Sequence, residues 1–348
     1  MTTTKRIAVA LVRAVAAFAL SLSTAAPVAA ADWAPTFVPA PVVTDWRPTF
    51  VAVPSTYVGE FGMRFWFGRA QTKKDLFDTS GSILVSRLDY YDMSIFTGEA
   101  FSRLDFNNGW FIKGYFGGGG LFGGQLKDED FPPVVMPYSA TLSDDKSGSL
   151  IYGSVDAGIK LIRGPDFHLG AFVGYHFLRD YVDAMGCTQV ATHPTICVPA
   201  IPDNIRAISQ TNNWHSLRLG LEASVEFDRR WKVTLDAAWV PYAALYGADS
   251  HLLRIGSNPG DFTGPIPEDG KGWGYQFDAI VSYRFNDWIS VGAGGRYWHV
   301  EAKGQTHFEG HVVGVKAQPQ AVNWRADHFG GFIQTNIKFG PYAVINGI

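Results

Sequence analysis

The stretch SLRLGLEASVEF, residues 216–227, alternates without interruption. Leu217, Leu219, Leu221, Ala223, Val225 and Phe227 fall on one side. Ser216, Arg218, Gly220, Glu222, Ser224 and Glu226 fall on the other. Successive side chains of a strand point to opposite faces, so this is a strand with one apolar and one ionic face. QFDAIVSYRF, residues 276–285, repeats the scheme: Phe277, Ala279, Val281, Tyr283 and Phe285 oppose Gln276, Asp278, Ser282 and Arg284. Such alternation fits a soluble sandwich as well as a membrane barrel.

Three further features separate the two. Strand-like runs reach about 15 to 20 residues, against the usual 5 or 6 of soluble sheets. Connections are lopsided: NNG (107–109), RGPD (163–166), DRR (228–230) and ND (286–287) are tight, whereas the alternate ones are long and polar. Trp110, Trp231, Trp239, Tyr242, Trp288 and Tyr297 recur near strand ends. Together these features predict an all-β fold, a transmembrane antiparallel β-barrel with short periplasmic turns and long outward loops. Closure leaves no unpaired backbone in lipid. About ten strands are expected, at 57–70, 83–106, 110–126, 148–162, 167–185, 213–227, 231–247, 273–285, 288–304 and 325–340. The outward loops then fall near 71–82, 127–147, 186–212, 248–272 and 305–324. A strand crosses lipid with about 9–11 residues, so the barrel should extend above the membrane. A narrow bore lined by Arg, Glu and Asp should be filled rather than porous.

Composition agrees. The 348 residues are 47% hydrophobic and 14% aromatic, with a net charge of −3. No later segment is apolar enough for a membrane-spanning helix, aromatic residues are too plentiful for disorder, and the charge balance gives no reason to expect nucleic acid. Residues 1–30, with Lys5 and Arg6 before an apolar run and small residues at Val28, Ala29 and Ala30, read as a secretory signal peptide. Residues 31–56 repeat Asp32-Trp33-x-Pro35-Thr36-Phe37-Val38 as Asp45-Trp46-x-Pro48-Thr49-Phe50-Val51 and read as a Pro-rich periplasmic linker. The barrel is expected over 57–340 and a tail over 341–348, beyond Phe339. Cys187 and Cys197 suit a disulfide in an oxidising compartment, the alternative being a metal pair with His193. His168, His176, His193, His215, His299, His307, His311 and His328 lack metal-ligand spacing and are expected at the interface or in loops.

Two short motifs carry possible chemistry. Asp128 and Asp130 end the glycine-laden run GGGGLFGGQLKDEDFPP, and Asp249 and His251 lie in LYGADSHLLR. Both pairs belong to outward loops in the expected topology. A histidine oriented by its own aspartate can take a proton from water, and neighbouring carboxylates perturb one another's pKa values. Spacing alone is weak support, because acidic loops are commonly just solvated.

The wording around these motifs resembles the omptin family, the ten-stranded outer-membrane endopeptidases of Gram-negative bacteria. The resemblance is diffuse and runs from about residue 57 to 340: SRLDY at 86–90, GYHFLRDYVDAMG at 174–186, RAIS at 206–209 leading into LRLGL, and DHFGGFIQTNIKF at 327–339. It implies a monomeric surface endopeptidase, an aspartic-type hydrolase. Asp128 and Asp130 in the second outward loop would face Asp249 and His251 in the fourth, with the attacking water between His251 and Asp128. No covalent acyl-enzyme, metal or cofactor would be required. Lipopolysaccharide is implied as an activator, with Tyr175 and Arg179 matching that pattern; Phe177 stands where the family has an acid and Asn213 where it has a base. The family's basic-residue pocket is altered, Gly247 and Lys74 occupying its acidic positions. Cleavage at paired basic residues is therefore expected to be weak or absent, leaving peptide or protein substrates of neutral or acidic character. A catalytically inactive barrel of the same fold, serving as an adhesin or structural surface protein, is the alternative, and a narrow channel a third. A G-x-S-x-G nucleophile motif is missing from the sequence.

Overall fold

The computed structural model describes residues 57–131 and 136–340. The expected signal segment, the linker and the tail 341–348 lie outside the described residues. Eleven strand segments follow in chain order: β1 (Tyr57–Phe77), β2 (Leu84–Phe106), β3 (Trp110–Phe122), β4 (Gly124–Asp130), β5 (Ser139–Arg163), β6 (Phe167–Gln189), β7 (Ile201–Phe227), β8 (Trp231–His251), β9 (Ile266–Arg284), β10 (Ile289–Thr306) and β11 (Gln320–Phe339). All neighbours pair antiparallel, and β1 pairs with both β2 and β11, so the sheet closes into a barrel. β3 and β4 both run between β2 and β5 and form one passage interrupted at Gly123. Gly123 sits at φ 72°, a left-handed conformation that glycine adopts without steric cost. Ten passages therefore build the ring.

The strands run further than the alternation indicates. β1 continues to Phe77, β5 begins at Ser139, β7 at Ile201 and β9 at Ile266. Ladder pairing persists there, as where Ile208–Asn212 pairs with Gly247–His251. Both faces carry polar residues in this region, so the period-two signal fades although the backbone remains extended. The connections at this end shrink to 78–83, 131–138, 190–200, 252–265 and 307–319, and those at the other end are 107–109, 164–166, 228–230 and 285–288. Leu252–Arg254 form one 3-10 turn.

The apolar face points outward. Leu217, Leu219 and Leu221 are 42%, 40% and 53% exposed, while Arg218 and Glu222 are buried inside. Trp110, Trp231 and Trp288 ring the barrel near the turns; Trp239, Tyr242 and Trp273 ring it further up, with Leu235, Phe277 and Val281 exposed between. This apolar band between aromatic girdles is the lipid-facing surface. From Trp239, β8 continues at about 3.3 Å per residue. Allowing for strand tilt, its end stands roughly 25 Å above the upper girdle.

Within the band the bore is lined by paired charges around a small cavity and closed above by aromatic rings. Arg64 and Arg296 meet Glu99 at 2.8 and 2.6 Å, Arg296 also meets Asp278 at 2.7 Å, and Arg218 meets Asp156 at 2.9 Å. Pairing offsets the cost of removing these charges from water. Above them Trp66, Tyr152 and Trp298 pack edge to face, with centroids 4.9 Å apart for Trp66–Trp298 and 5.0 Å for Tyr152–Trp298. Gly117 makes room for this plug: a Cβ there would lie 2.6 Å from the Tyr152 ring. His176 and His328 are buried in the interior rather than placed at an interface or in a loop, because their strand positions point inward. Cys187 and Cys197 form a disulfide with Cα atoms 5.6 Å apart. His193 stays out of that pair; its Nδ1 accepts the Thr195 and Ile196 N–H groups at 3.3 and 3.1 Å.

Candidate active site

Beyond Gly123 the restarted strand turns Leu126, Asp128 and Asp130 inward, and Lys127 and Glu129 form an ion pair of 2.8 Å on the opposite face. On β8, Tyr246 points outward, and Leu245, Gly247, Asp249 and His251 line the interior. Three strands, β5, β6 and β7, separate β4 from β8, so the two pairs stand on nearly opposite walls of one barrel end. They occupy strand ends rather than the loops expected for them, because the ladders extend this far.

His251 Nε2 lies 3.1 Å from Asp249 Oδ2. Asp128 is within electrostatic reach of both His251 and Asp249. Burial first, and then Asp130 and Asp249, push the Asp128 carboxyl up to about 6, although His251 and Lys74 oppose the shift. Asp130 is likewise raised by burial, against a hydrogen bond from Ser86. Burial works against the Asp249 carboxylate, but His251 and Lys74 hold it below the usual carboxylate range. Burial also disfavours the His251 imidazolium; Asp249 and Asp128 outweigh it and keep this histidine above its ordinary value. The His251 side chain is 20% exposed, so it is open to the mouth. Phe262, from the 252–265 connection, covers it at a centroid distance of 5.5 Å and is itself held by Arg254 at 4.3 Å. Tyr90 is buried with an unpartnered hydroxyl, and burial together with Asp249, Asp145, Asp128 and Glu268 raises its pKa well above the ordinary tyrosine value.

Lys74 is buried and reaches across the lumen from β1. Its Nζ meets Asp249 Oδ2 at 2.5 Å, Glu268 Oε1 at 2.8 Å and Gln210 Oε1 at 3.3 Å. Lys74, placed by the resemblance at an acidic position of the family's basic-residue pocket, is here paired with two carboxylates. Gly247 lines the same place, and Glu268 Oε2 sits 3.2 Å from where its Cβ would be. A polar chain continues below: Gln210 Nε2 donates to Glu268 at 2.9 Å and Asn212 Nδ2 donates to Asp180 at 2.6 Å. Glu268, Gln210 and Asn212 carry no motif, and Tyr90 and Asp180 lie in the SRLDY and GYHFLRDYVDAMG stretches without a role assigned to them; the signal that would have found these five is inward register, which the faded alternation hides, whereas Phe262 sits in a connection without register.

Tyr175 and Arg179 belong elsewhere, on the outer surface of β6. Tyr175 Oη lies 2.6 Å from His215 Nδ1, and Arg179 is exposed opposite Asn213, whose side chain donates to the Tyr246 carbonyl at 3.1 Å. Arg179 is thus an outward residue, not an interior one.

Among solved structures, the chain is similar to the outer membrane protease OmpT of Escherichia coli, with a TM-score of 0.61 and 16% identity over 82% of this chain and 99% of that one. The fold is that of an outer-membrane β-barrel. A Pseudomonas aeruginosa FadL homologue matches with a TM-score of 0.34 and 10% identity over 82% and 90% of the respective chains. The toluene transporter TbuX of Ralstonia pickettii matches with a TM-score of 0.32 and 9% identity over 81% and 90%. No protein-family model and no curated protein matches the chain.

Proposed function

We propose that this barrel is an omptin-like endopeptidase of the bacterial outer membrane whose mouth faces the cell exterior. The observation that supports this reading is the convergence of Asp128 with the Asp249–His251 pair from nearly opposite walls, above the lipid-facing band. A water between Asp128 and neutral His251 would give its proton to the imidazole while adding to a substrate carbonyl. Asp249 would orient the ring and stabilise the imidazolium. Breakdown of the tetrahedral adduct would return that proton to the leaving amine, releasing a carboxylate and an amine. Asp130 would keep the Asp128 side of the site acidic. The likeness to a protease structure agrees with this chemistry, and the aromatic layer across the bore disfavours a channel.

Lipopolysaccharide is the proposed activator, with exposed Arg179 and its neighbour Tyr175 on the outer wall as contacts; guanidinium groups suit phosphate. The decisive experiment is cleavage of a peptide library by refolded protein, with and without lipopolysaccharide, alongside His251→Ala. Turnover in the wild type and none in the variant is expected. Equal turnover in both sinks the chemistry. Absence of cleavage by the wild type leaves the alternative of an inactive surface barrel. Equal behaviour with and without lipid removes the lipopolysaccharide role.

A further inference from the structure

Phe262, which covers His251, is held by more than its own connection. The Gly260 N–H donates to the Val313 carbonyl at 2.9 Å, the Val313 N–H to the Asp261 carbonyl at 2.9 Å and the Thr263 N–H to the His311 carbonyl at 3.0 Å. Phe262 and Val312 face each other across this short antiparallel ladder. Phe308 adds its ring at a centroid distance of 6.2 Å from that of Phe262. The connections 252–265 and 307–319 are thus joined into one cover above His251. Its anchor to the barrel wall is His307. The His307 N–H donates to the Pro267 carbonyl at 2.9 Å. On the ring, Nε2 lies 2.5 Å from Asp269 Oδ1 on β9, and Nδ1 lies 2.7 Å from Glu309 Oε1. Ionised carboxylates only accept, so both ring nitrogens must carry a proton and the ring is an imidazolium. The bonds to Asp269 and Glu309 hold its pKa above the ordinary histidine value, against burial. Other charges around it are turned elsewhere or stand further off. His311 lies beyond Glu309. In the 252–265 connection, Arg254 packs on Phe262 and Asp261 accepts the Asn258 N–H. Lys271 on β9 and Lys303 on β10 face one another one outward position below Asp269.

We propose that residues 252–265 and 307–319 form a lid over His251, and that His307, clasped by Asp269 and Glu309, is an acid-dependent latch that holds it shut. Loss of one proton leaves a neutral ring, which can donate to only one of the two carboxylates. The other bond is then lost. A histidine whose folded pKa is raised stabilises the clasped state below its ordinary value, and that contribution disappears as pH rises through the folded one. The lid therefore loosens on the alkaline side, where His251 also becomes an unprotonated base. The latch rests only on the geometry above; its effect on cleavage rests on the peptidase reading.

Amide hydrogen exchange on the full-length protein refolded in detergent tests this, read as protection relative to an unstructured chain at the same pH. Protection of the two connections should fall by about tenfold or more between pH 6 and pH 9, the worth of one charge-assisted hydrogen bond. The 190–200 connection, which lacks the latch, should not follow. His307→Gln should show the wild type's alkaline level of protection at both pH values, and His311→Gln should keep the fall. Protection in the wild type that does not change with pH overturns the proposal. So does a fall that persists in His307→Gln, vanishes in His311→Gln or is matched in the 190–200 connection. If His307→Gln does not refold, Asp269→Asn is read in its place, with the same loss expected. On a cleaved peptide, His307→Gln should lower KM relative to the wild type at pH 6 and match it at pH 9, with kcat alike at both. Loosening seen by exchange without that difference in KM assigns the failure to the peptidase reading and leaves the latch standing.

Discussion

His251 stands between two carboxylates of different character. Asp249, held ionised by Lys74, raises the affinity of the ring for a proton, and Asp128 across the mouth adds to the effect. The proposed mechanism needs His251 unprotonated as its base, so on that proposal activity should fall as pH drops through the raised pKa of His251 and through the Asp128 value of about 6. Asp249→Asn removes the larger of the charges that raise the His251 pKa. The acidic limb of kcat/KM should move to lower pH, and turnover should fall by about 10³-fold or more, as for other histidines deprived of their orienting carboxylate. A pH–rate profile checks both; an acidic limb that stays in place would show that Asp249 does not set the basicity of the ring. Asp145 gives a prediction independent of catalysis. It is buried, both carboxylate oxygens lack partners, and burial followed by Asp144 pushes it up to about 8. An acid whose folded pKa is raised loses stability as pH rises from its unfolded value toward the folded one, at about 1.4 kcal/mol per pH unit. Asp145→Asn should therefore raise the unfolding midpoint more at pH 8 than at pH 5. A gain that is equal at both pH values would contradict this.

Among the elements, the passage formed by β3 and β4 joins packing to chemistry. In its lower part Gly117 leaves room for the Tyr152 ring, and its upper part restarts after Gly123 to aim Asp128 inward. Gly117→Val would drive a side chain into the Tyr152 ring and should cost about 1–3 kcal/mol, as overpacked cores do. Gly120→Ala meets nothing nearer than the Phe122 side chain at 3.4 Å and should be nearly neutral. Denaturant unfolding of the two variants checks the contrast; similar losses would mean that the glycines serve the strand rather than the plug. This passage also shows how far reading by periodicity reaches. Leu217 to Phe227 were legible because lipid demands an apolar outer face. The upper strands were not, because water on the outside and a polar interior impose no alternation, so Asp128 and His251 were expected in loops.

For the whole molecule, the exterior band is the solvent-matched surface. Leu221 lies in the middle of it and is 53% exposed. Leu221→Arg should cost about 2–4 kcal/mol for barrel folded into lipid vesicles. Val190→Arg, in the 190–200 connection well above the upper girdle, should change little. Equal effects in a vesicle unfolding assay would displace the membrane from the band assigned to it.

The closed barrel, its apolar exterior and the end of the barrel to which both acidic pairs belong are legible along the chain. Each follows from local alternation and from the lengths of successive connections. The tertiary structure alone decided that Lys74 is buried between carboxylates. Its partners Asp249 and Glu268 lie 175 and 194 residues away along the chain. Contacts across a lumen depend on how many strands close the ring and at what register, and no local pattern along the chain encodes that.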